Sequence, residues 1–290
     1  MRRDKSPSIV LDFPDCIRRD YPDVFEPCWA ATQDVRKLLP NGNYEALARH
    51  SPGLSGFGWD SYITLSAIRM VRVARALRTF VHQGARVLDL GSYFGNFALM
   101  ARNLGYQVDA MDTYRNYSPA LDRERSLLET RGIRVIDTSD GPEDISKYSD
   151  SFDAVMCLGV IEHIPHTPRE LLGSIRKILK SDGYLILDTP NLAYLYRREA
   201  LMNGLSVYPP IECQYGTEIP FEGHHREYTR REIRWILEKS GFEVVEDDLF
   251  NYSIMGLNSL TGEDVRRYKE MEQDPEKREV IFAVARRRPG

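Results

Sequence analysis

Cysteine is scarce in this chain. Cys16, Cys28, Cys157 and Cys213 are its whole supply, and no pair has the short spacing that holds zinc or runs dithiol redox chemistry. So few thiols suit a reducing compartment, and Cys157, inside an apolar strand, reads as core. Long apolar runs are missing as well. None approaches the ~20 residues of a membrane span, and the basic start Arg2, Arg3 and Lys5 passes at once to Asp12 and Pro14 instead of an export signal's apolar core. The expectation is a cytoplasmic protein that does not engage a membrane. Positive charge is not in excess: the formal net charge is -4. Without a broad basic face, nucleic acid is not expected as a partner, because phosphate neutralisation dominates such binding. Nor is there a Ser/Gly-rich or charge-rich linker. At 290 residues, 42% of them hydrophobic, the chain reads as one large domain with an appended or inserted element.

What is present centres on VLDLGSYFGNFALMA (87–101), an apolar strand that turns between Gly91 and Gly95 into a helix. Gly91 is a turn position that favours a residue without a Cβ, and Gly95 lets the helix start lie close to a ligand. A second carboxylate, Asp112, closes the strand-like YQVDAMD about twenty residues on, which suits a ribose. Then follow IRVID (133–137), FDAVMCLGVIEHI (152–164), a helix, and GYLILDTPN (183–191). Strands alternating with helices at this pace predict an α/β fold with a Rossmann-like, doubly wound sheet. GFEVVEDDLF and EVIFAVARR bring the strands to seven, and too little chain separates them for a full helical crossover, so the last strand is expected to be antiparallel.

These phrases resemble the class I S-adenosylmethionine-dependent methyltransferases over roughly residues 70–290. Four motifs carry the resemblance: LDLGSYFGNF, the acid in AMDTY, FDAVMCLGVIEHIPH, and LKSDGYLILDTPN followed by HHREYTRREIRWILEKSGFEV. A dinucleotide-dependent hydride-transfer enzyme shares the first and does not explain the last three. The resemblance implies S-adenosyl-L-methionine as cofactor. Asp89 and the Gly91 to Gly95 turn would hold its methionyl end, helped by the helix N-terminus. Asp112 would accept both ribose hydroxyls, Met111 and Thr113 would flank the adenine, and Leu158 would close the far side. Asp140 resembles the acid that accepts from the adenine amino group, with Asp137 and Asp144 as alternatives. The chain departs from the pattern at Tyr93, which stands at the usual middle glycine; its side chain either points away or covers the methionyl end.

The first 70 residues hold scattered prolines and aromatics, among them Tyr21, Phe25, Trp29, Tyr44, Phe57, Trp59 and Tyr62. They read as a helical cap over the domain at 71–290, either enclosing substrate or simply anchoring to the sheet. Within that domain, residues 189–228 are too long for an ordinary strand-to-helix connection and read as a substrate lid. Thr167 and Pro168 mark one helix start; Thr229 and Glu232 have capping-box spacing before a helix that Gly241 ends. Arg69, Arg72, Arg75 and Arg78 recur at helical spacing, as a solvated face or as a site for a phosphorylated substrate.

Methyl transfer is an in-line displacement that needs aligned, dehydrated partners. A hydroxyl acceptor adds the need for a general base, for which histidine suits neutral pH. His224, which matches the late "H.R..T" phrase, is ranked first, His225 second and His163 third; fixing the lid through backbone contacts is the alternative role for His224. Glu222 and Tyr228 are nearby groups that could orient the acceptor. No metal is expected: quinone-biosynthesis relatives use an acid three residues before the Glu-His pair, and here that place is Gly159, though Glu162, His163 and His166 form a conceivable trio. The expected function is methyl transfer to a small-molecule hydroxyl of a sugar or natural-product intermediate. An RNA or protein methyltransferase and a non-catalytic cofactor-binding interaction protein are the other classes, and oligomeric state is not readable.

Overall fold

A computed structural model describes residues 9–48, 56–139, 145–208, 210–217, 221, 223–257 and 259–289. The chain opens with β1 (Ile9–Val10), α1 (Asp15–Asp20), α2 (Phe25–Arg36) and the long α3 (Trp59–Phe80). Then β2 (Arg86–Leu90), α4 (Asn96–Asn103), β3 (Gln107–Asp112), α5 (Asp122–Thr130), β4 (Arg134–Asp137), β5 (Phe152–Leu158), α6 (Arg169–Ile178) and β6 (Leu179–Pro190) alternate along the chain. After them come α7 (Leu195–Met202), α8 (Ile211–Tyr215), α9 (Arg230–Lys239), β7 (Phe242–Phe250), β8 (Ser259–Leu260), α10 (Glu263–Gln273) and β9 (Val280–Arg287).

The seven-stranded sheet has the order β4-β3-β2-β5-β6-β9-β7. Pairings from β4 to β6 are parallel, while β9 runs antiparallel to both β6 and β7. This is the expected architecture. Chain order reverses between β2 and β5, and in such sheets the crevice beyond the carboxyl ends of those strands is where ligands bind.

Side chains of successive strand residues point to opposite faces, and the two faces build separate cores. Val87, Ala110, Ala154, Met156, Ile186 and Val284 pack with α2, α3 and α4. Leu88, Met111, Val155, Cys157, Leu185 and Leu187 pack with α6 and α9. A third, smaller core joins Leu11, Leu195, Ile254, Leu260, Val265 and Met271. It ties together the N-terminal strand, which pairs with β8, the helix after β6 and the connection between β7 and β9. That last connection is richer than its sequence suggested: it holds α10 and β8 yet returns antiparallel.

Local signals explain the boundaries. Thr229 and Glu232 form the full capping box of α9, and Gly241, at φ +83°, ends it. Thr167 Oγ1 accepts from Arg169 N at 3.3 Å, just before α6. Gly95 has a role its sequence context did not suggest. It sits at φ +75°, and a Cβ there would stand 2.6 Å from Leu128 Cδ2 of α5. Its bare backbone makes room for a packed helix, and it does not border the cavity described below.

The arginine row is solvated at Arg75 and Arg78, yet its heads are engaged by protein. Arg72 donates to Ile68 O and lies over the rings of Phe250 and Tyr21. Arg75 and Arg78 donate to the carbonyls of Asp20 and Asp23, so the three clamp the N-terminal helices onto α3. Residue 70 falls inside α3, which runs unbroken across it.

Arg69 differs from the others. Its Nε and Nη2 donate to Asp188 Oδ2 and Oδ1 at 2.8 and 2.6 Å, and the carboxylate is 1% exposed. Removing one member of such a pair strands a buried charge. Arg69→Met should therefore cost about 3–5 kcal/mol of unfolding free energy, while the double variant with Asp188→Leu recovers most of it. Urea denaturation of the three proteins measures both.

Candidate functional site

One cavity of about 1900 Å³ lies over the carboxyl ends of β2, β3, β5 and β6. That is roughly twice the upper end for an ordinary ligand pocket, so two molecules fit side by side. Gly91, Ser92, Tyr93, Met111, Asp112, Thr113 and Leu158 line one end; Glu162, His163, Thr189, Arg197 and His224 line the other.

At the first end, Gly91 N and Ser92 N donate to Met111 O at 2.9 and 3.3 Å, which pins the turn against β3. Gly91 sits at φ +77°, with space for a Cβ closed by Val160 Cγ2 at 2.4 Å. Tyr93 adopts the left-handed conformation that a glycine takes without strain, φ 47°. Its ring packs edge-on against Phe94 and Tyr117 and borders the cavity, so the departure from the glycine pattern becomes an aromatic wall over the turn.

Asp112 accepts from Tyr93 N and Thr113 N, both at 2.7 Å. Burial raises its pKa even though these donors pull the other way. The side chains of Thr113 and Tyr117 also donate to it, so its roughly four acceptor sites face backbone donors on one side and exchangeable hydroxyl donors on the other. Asp89 does not reach that wall. It is 2% exposed and lies behind the turn; burial, reinforced by Asp112, pushes it up to about 7, and a hydrogen bond from the Ala98 backbone opposes this. Asp137 is taken up by Arg115 and Ser139. Asp140 and Asp144 lie outside the described residues.

At the second end, Thr189 Oγ1 donates to Glu162 Oε2 at 3.0 Å. Burial, with Asp188 adding to it, pushes Glu162 up to about 7. The rings of His163 and His224 meet edge to face at 4.7 Å. His224 Nδ1 lies 2.7 Å from Glu227 Oε1, and Arg197 Nη2 donates to the same oxygen at 2.8 Å. Burial, with the charges of His163 and Arg197, pulls the His224 pKa down and favours the neutral ring, while a carboxylate at Nδ1 works the other way.

His225, ranked second from the sequence, does not border the cavity. Its ring Nε2 lies 3.0 Å from Phe221 O, and its backbone N donates to Glu162 O. Tyr228 is buried beneath the site and also misses the wall, while Glu222 lies outside the described residues. Among the described residues, Glu162, His163 and His224 place ligand-capable atoms within 4.8 Å of one another. His166 is not part of that trio. A Cβ on Gly159 would stand 3.2 Å from Arg69 Nη2 and 3.5 Å from Glu162 Oε1, so the position of the relatives' additional acid is covered here by a guanidinium.

Leu47, Phe57, Trp59, Tyr62 and Arg69, all from the N-terminal part of this same chain, complete the cavity wall. Tyr194, Tyr196 and Arg197 come from the connection after β6. Arg197 and Glu227 went unnoticed as site residues in the sequence; the single signal was an acid three positions after His224. No described helix is long and apolar enough to cross a membrane.

The family model described as a methyltransferase domain matches residues 67–247. The ubiquinone biosynthesis O-methyltransferase of Xanthomonas axonopodis pv. citri is 34% identical over 130 residues, covering 44% of this chain and 52% of the relative. The enzyme of the same name from Xanthomonas oryzae pv. oryzae is 33% identical over the same shares. The chain thus spans about half the length of the curated relatives it matches. A SAM-dependent methyltransferase from Archaeoglobus fulgidus superposes with a TM-score of 0.50 at 20% identity, over 76% of this chain and 93% of that one. A chain of the complex between the Haloferax volcanii Trm112 activator and its methyltransferase gives 0.51 at 19%, over 77% and 92%. With a family model spanning more than half of its residues, this chain belongs to the methyltransferase-domain family and carries the class I S-adenosylmethionine-dependent methyltransferase fold.

Proposed function

We propose that this protein transfers a methyl group from S-adenosylmethionine to a hydroxyl of a small-molecule acceptor, with His224 as general base. The observation that carries this reading is the single cavity that has the Gly91 turn and Asp112 at one end and the His163–His224 pair at the other. The names of the curated relatives support an oxygen acceptor, since those proteins are O-methyltransferases.

The residues fit the cofactor. Asp112, already fixed by two backbone donors, takes the ribose hydroxyls; Met111, Thr113 and Leu158 border the adenine. Gly91, Ser92 and the start of α4 face the methionyl end. Tyr93 covers this end with its ring. Asp89 acts from behind, steadying the turn and the first turn of α4. When bound, the cofactor supplies a methyl group activated by positive sulfur.

The protein's own work is alignment, exclusion of water and removal of the hydroxyl proton. Neutral His224 has a ring nitrogen available for that proton, and His163 is the second choice. Arg69 and Arg197 are each paired with a buried carboxylate, which leaves neither to balance a phosphate, and Trp59, Tyr62, Tyr194 and Phe221 offer the acceptor aromatic faces. We place residues 189–228 as the acceptor-side lid and the N-terminal segment as its opposite wall.

Calorimetric titration with S-adenosylhomocysteine tests the cofactor half. Micromolar binding is expected, and Asp112→Ala should weaken it at least ~30-fold, the loss of charge-assisted hydrogen bonds worth about 2 kcal/mol or more; unchanged binding by the variant refutes the assignment. For the chemistry, radiolabelled methyl transfer to a panel of hydroxylated sugars and phenols should fall about 10²–10⁴-fold in His224→Ala. Full activity of that variant would overturn His224 as the base.

A further inference from the structure

Buried beneath the acceptor end is a carboxylate that the proposed chemistry has not yet used. Glu227 is 1% exposed. A carboxylate so deeply buried stays charged only when it is paired, and Arg197 of α7 supplies the partner through both terminal nitrogens. Pairing keeps Glu227 ionised, and an ionised carboxylate only accepts hydrogen bonds. The 2.7 Å contact with His224 Nδ1 therefore requires the proton on Nδ1. Nε2 is then left as the basic nitrogen.

Arg197 is not a loose surface cation. Its Nη1 also donates to Asn191 O at 3.3 Å, at the end of β6. The helix that carries it is fastened from the other side: Glu199 pairs with Arg266 and with Arg267 of α10, and Tyr196 donates to Asp264 at 3.1 Å. The seat of α7 thus fixes Arg197, which fixes Glu227, which fixes the imidazole.

We propose that Glu227 is the positioning residue of His224, setting its Nδ1–H tautomer, and that Arg197 couples this setting to the docking of α7 at the acceptor end of the cavity. The proposal rests on the reading of His224 as the general base, but its test does not need an acceptor. Carboxylate–imidazole pairs fix tautomer and ring orientation in this way wherever one imidazole nitrogen has to present a lone pair.

The test is long-range proton–nitrogen NMR at pH 7 on the full chain labelled with ¹⁵N-histidine, with the His224 signal assigned by its loss in His224→Ala. The parent should show the Nδ1–H tautomer. Glu227→Met should shift the ring to Nε2–H, while Glu227→Gln, which keeps an acceptor oxygen in place, retains Nδ1–H. Hydrogen exchange of the α7 amides should rise about tenfold or more in Glu227→Met, with α5 unchanged. An Nε2–H ring in the parent, or an unaltered tautomer in Glu227→Met, overturns the dyad; unaltered α7 exchange overturns the coupling. Should Glu227→Met fail to fold, the parent spectrum and the Gln variant still decide the tautomer. A parent with Nδ1–H whose His224→Ala variant remains fully active removes the base and leaves the dyad standing, so the two readings fail separately.

Discussion

Arg69 and Asp188 hold this molecule's site together. Asp188 ends the run of apolar residues on β6 and would be an isolated charge at the head of the sheet without a partner. Burial works against the guanidinium's charge, but Asp188 outweighs it and the net effect raises the Arg69 pKa. The pair draws α3 across the carboxyl ends of the strands, which brings Phe57, Trp59 and Tyr62 to the cavity. The same guanidinium reaches over Gly159, where any side chain would crowd it. One bidentate contact thereby fixes the roof of the site and closes the space beside Glu162.

The parallel sheet was legible because its strands are buried on both faces and read as continuous apolar runs between turn residues. Helix ends such as Thr229 and Gly241 were equally clear, since capping uses local side chains and local backbone. Met111, Asp112, Thr113 and Leu158, which the resemblance assigned to the cofactor, stand on the cavity wall at or just after strand ends. What escaped the sequence depends on long-range contact. Gly95 read as a ligand-side glycine, yet its missing Cβ is filled by Leu128, thirty-odd residues away in another helix.

The arginines of α3 show the same limit. Their spacing announced a charged helix face, which is all that periodicity reports. Whether such a face meets water, anion or protein depends on what packs there, and here Asp188, Phe250, Tyr21 and the ends of the N-terminal helices do. His225 fails for a related reason. Which of two adjacent loop histidines faces the cavity is set by the loop's anchoring, and here the backbone bonds from His225 and Arg226 to Glu162 O and the contact of the His225 ring with Phe221 O leave His224 on the wall.

Those bonds also link the two ends of the chemistry. Glu162 lies in the turn that follows β5, and its carbonyl holds the loop that presents His224. Its carboxyl, meanwhile, is held by Thr189 of β6. The acceptor end therefore hangs from the sheet through Thr189 and the turn after β5, and strand register helps set its distance from the cofactor end: Leu90 pairs with Cys157 and Leu158 with Asp188. Rigid registration suits an in-line displacement, whose rate depends on reacting atoms being held about 3–3.5 Å apart. The seat of α7 bears on the same geometry from outside the sheet, because Arg197 and Glu227 link it to the imidazole.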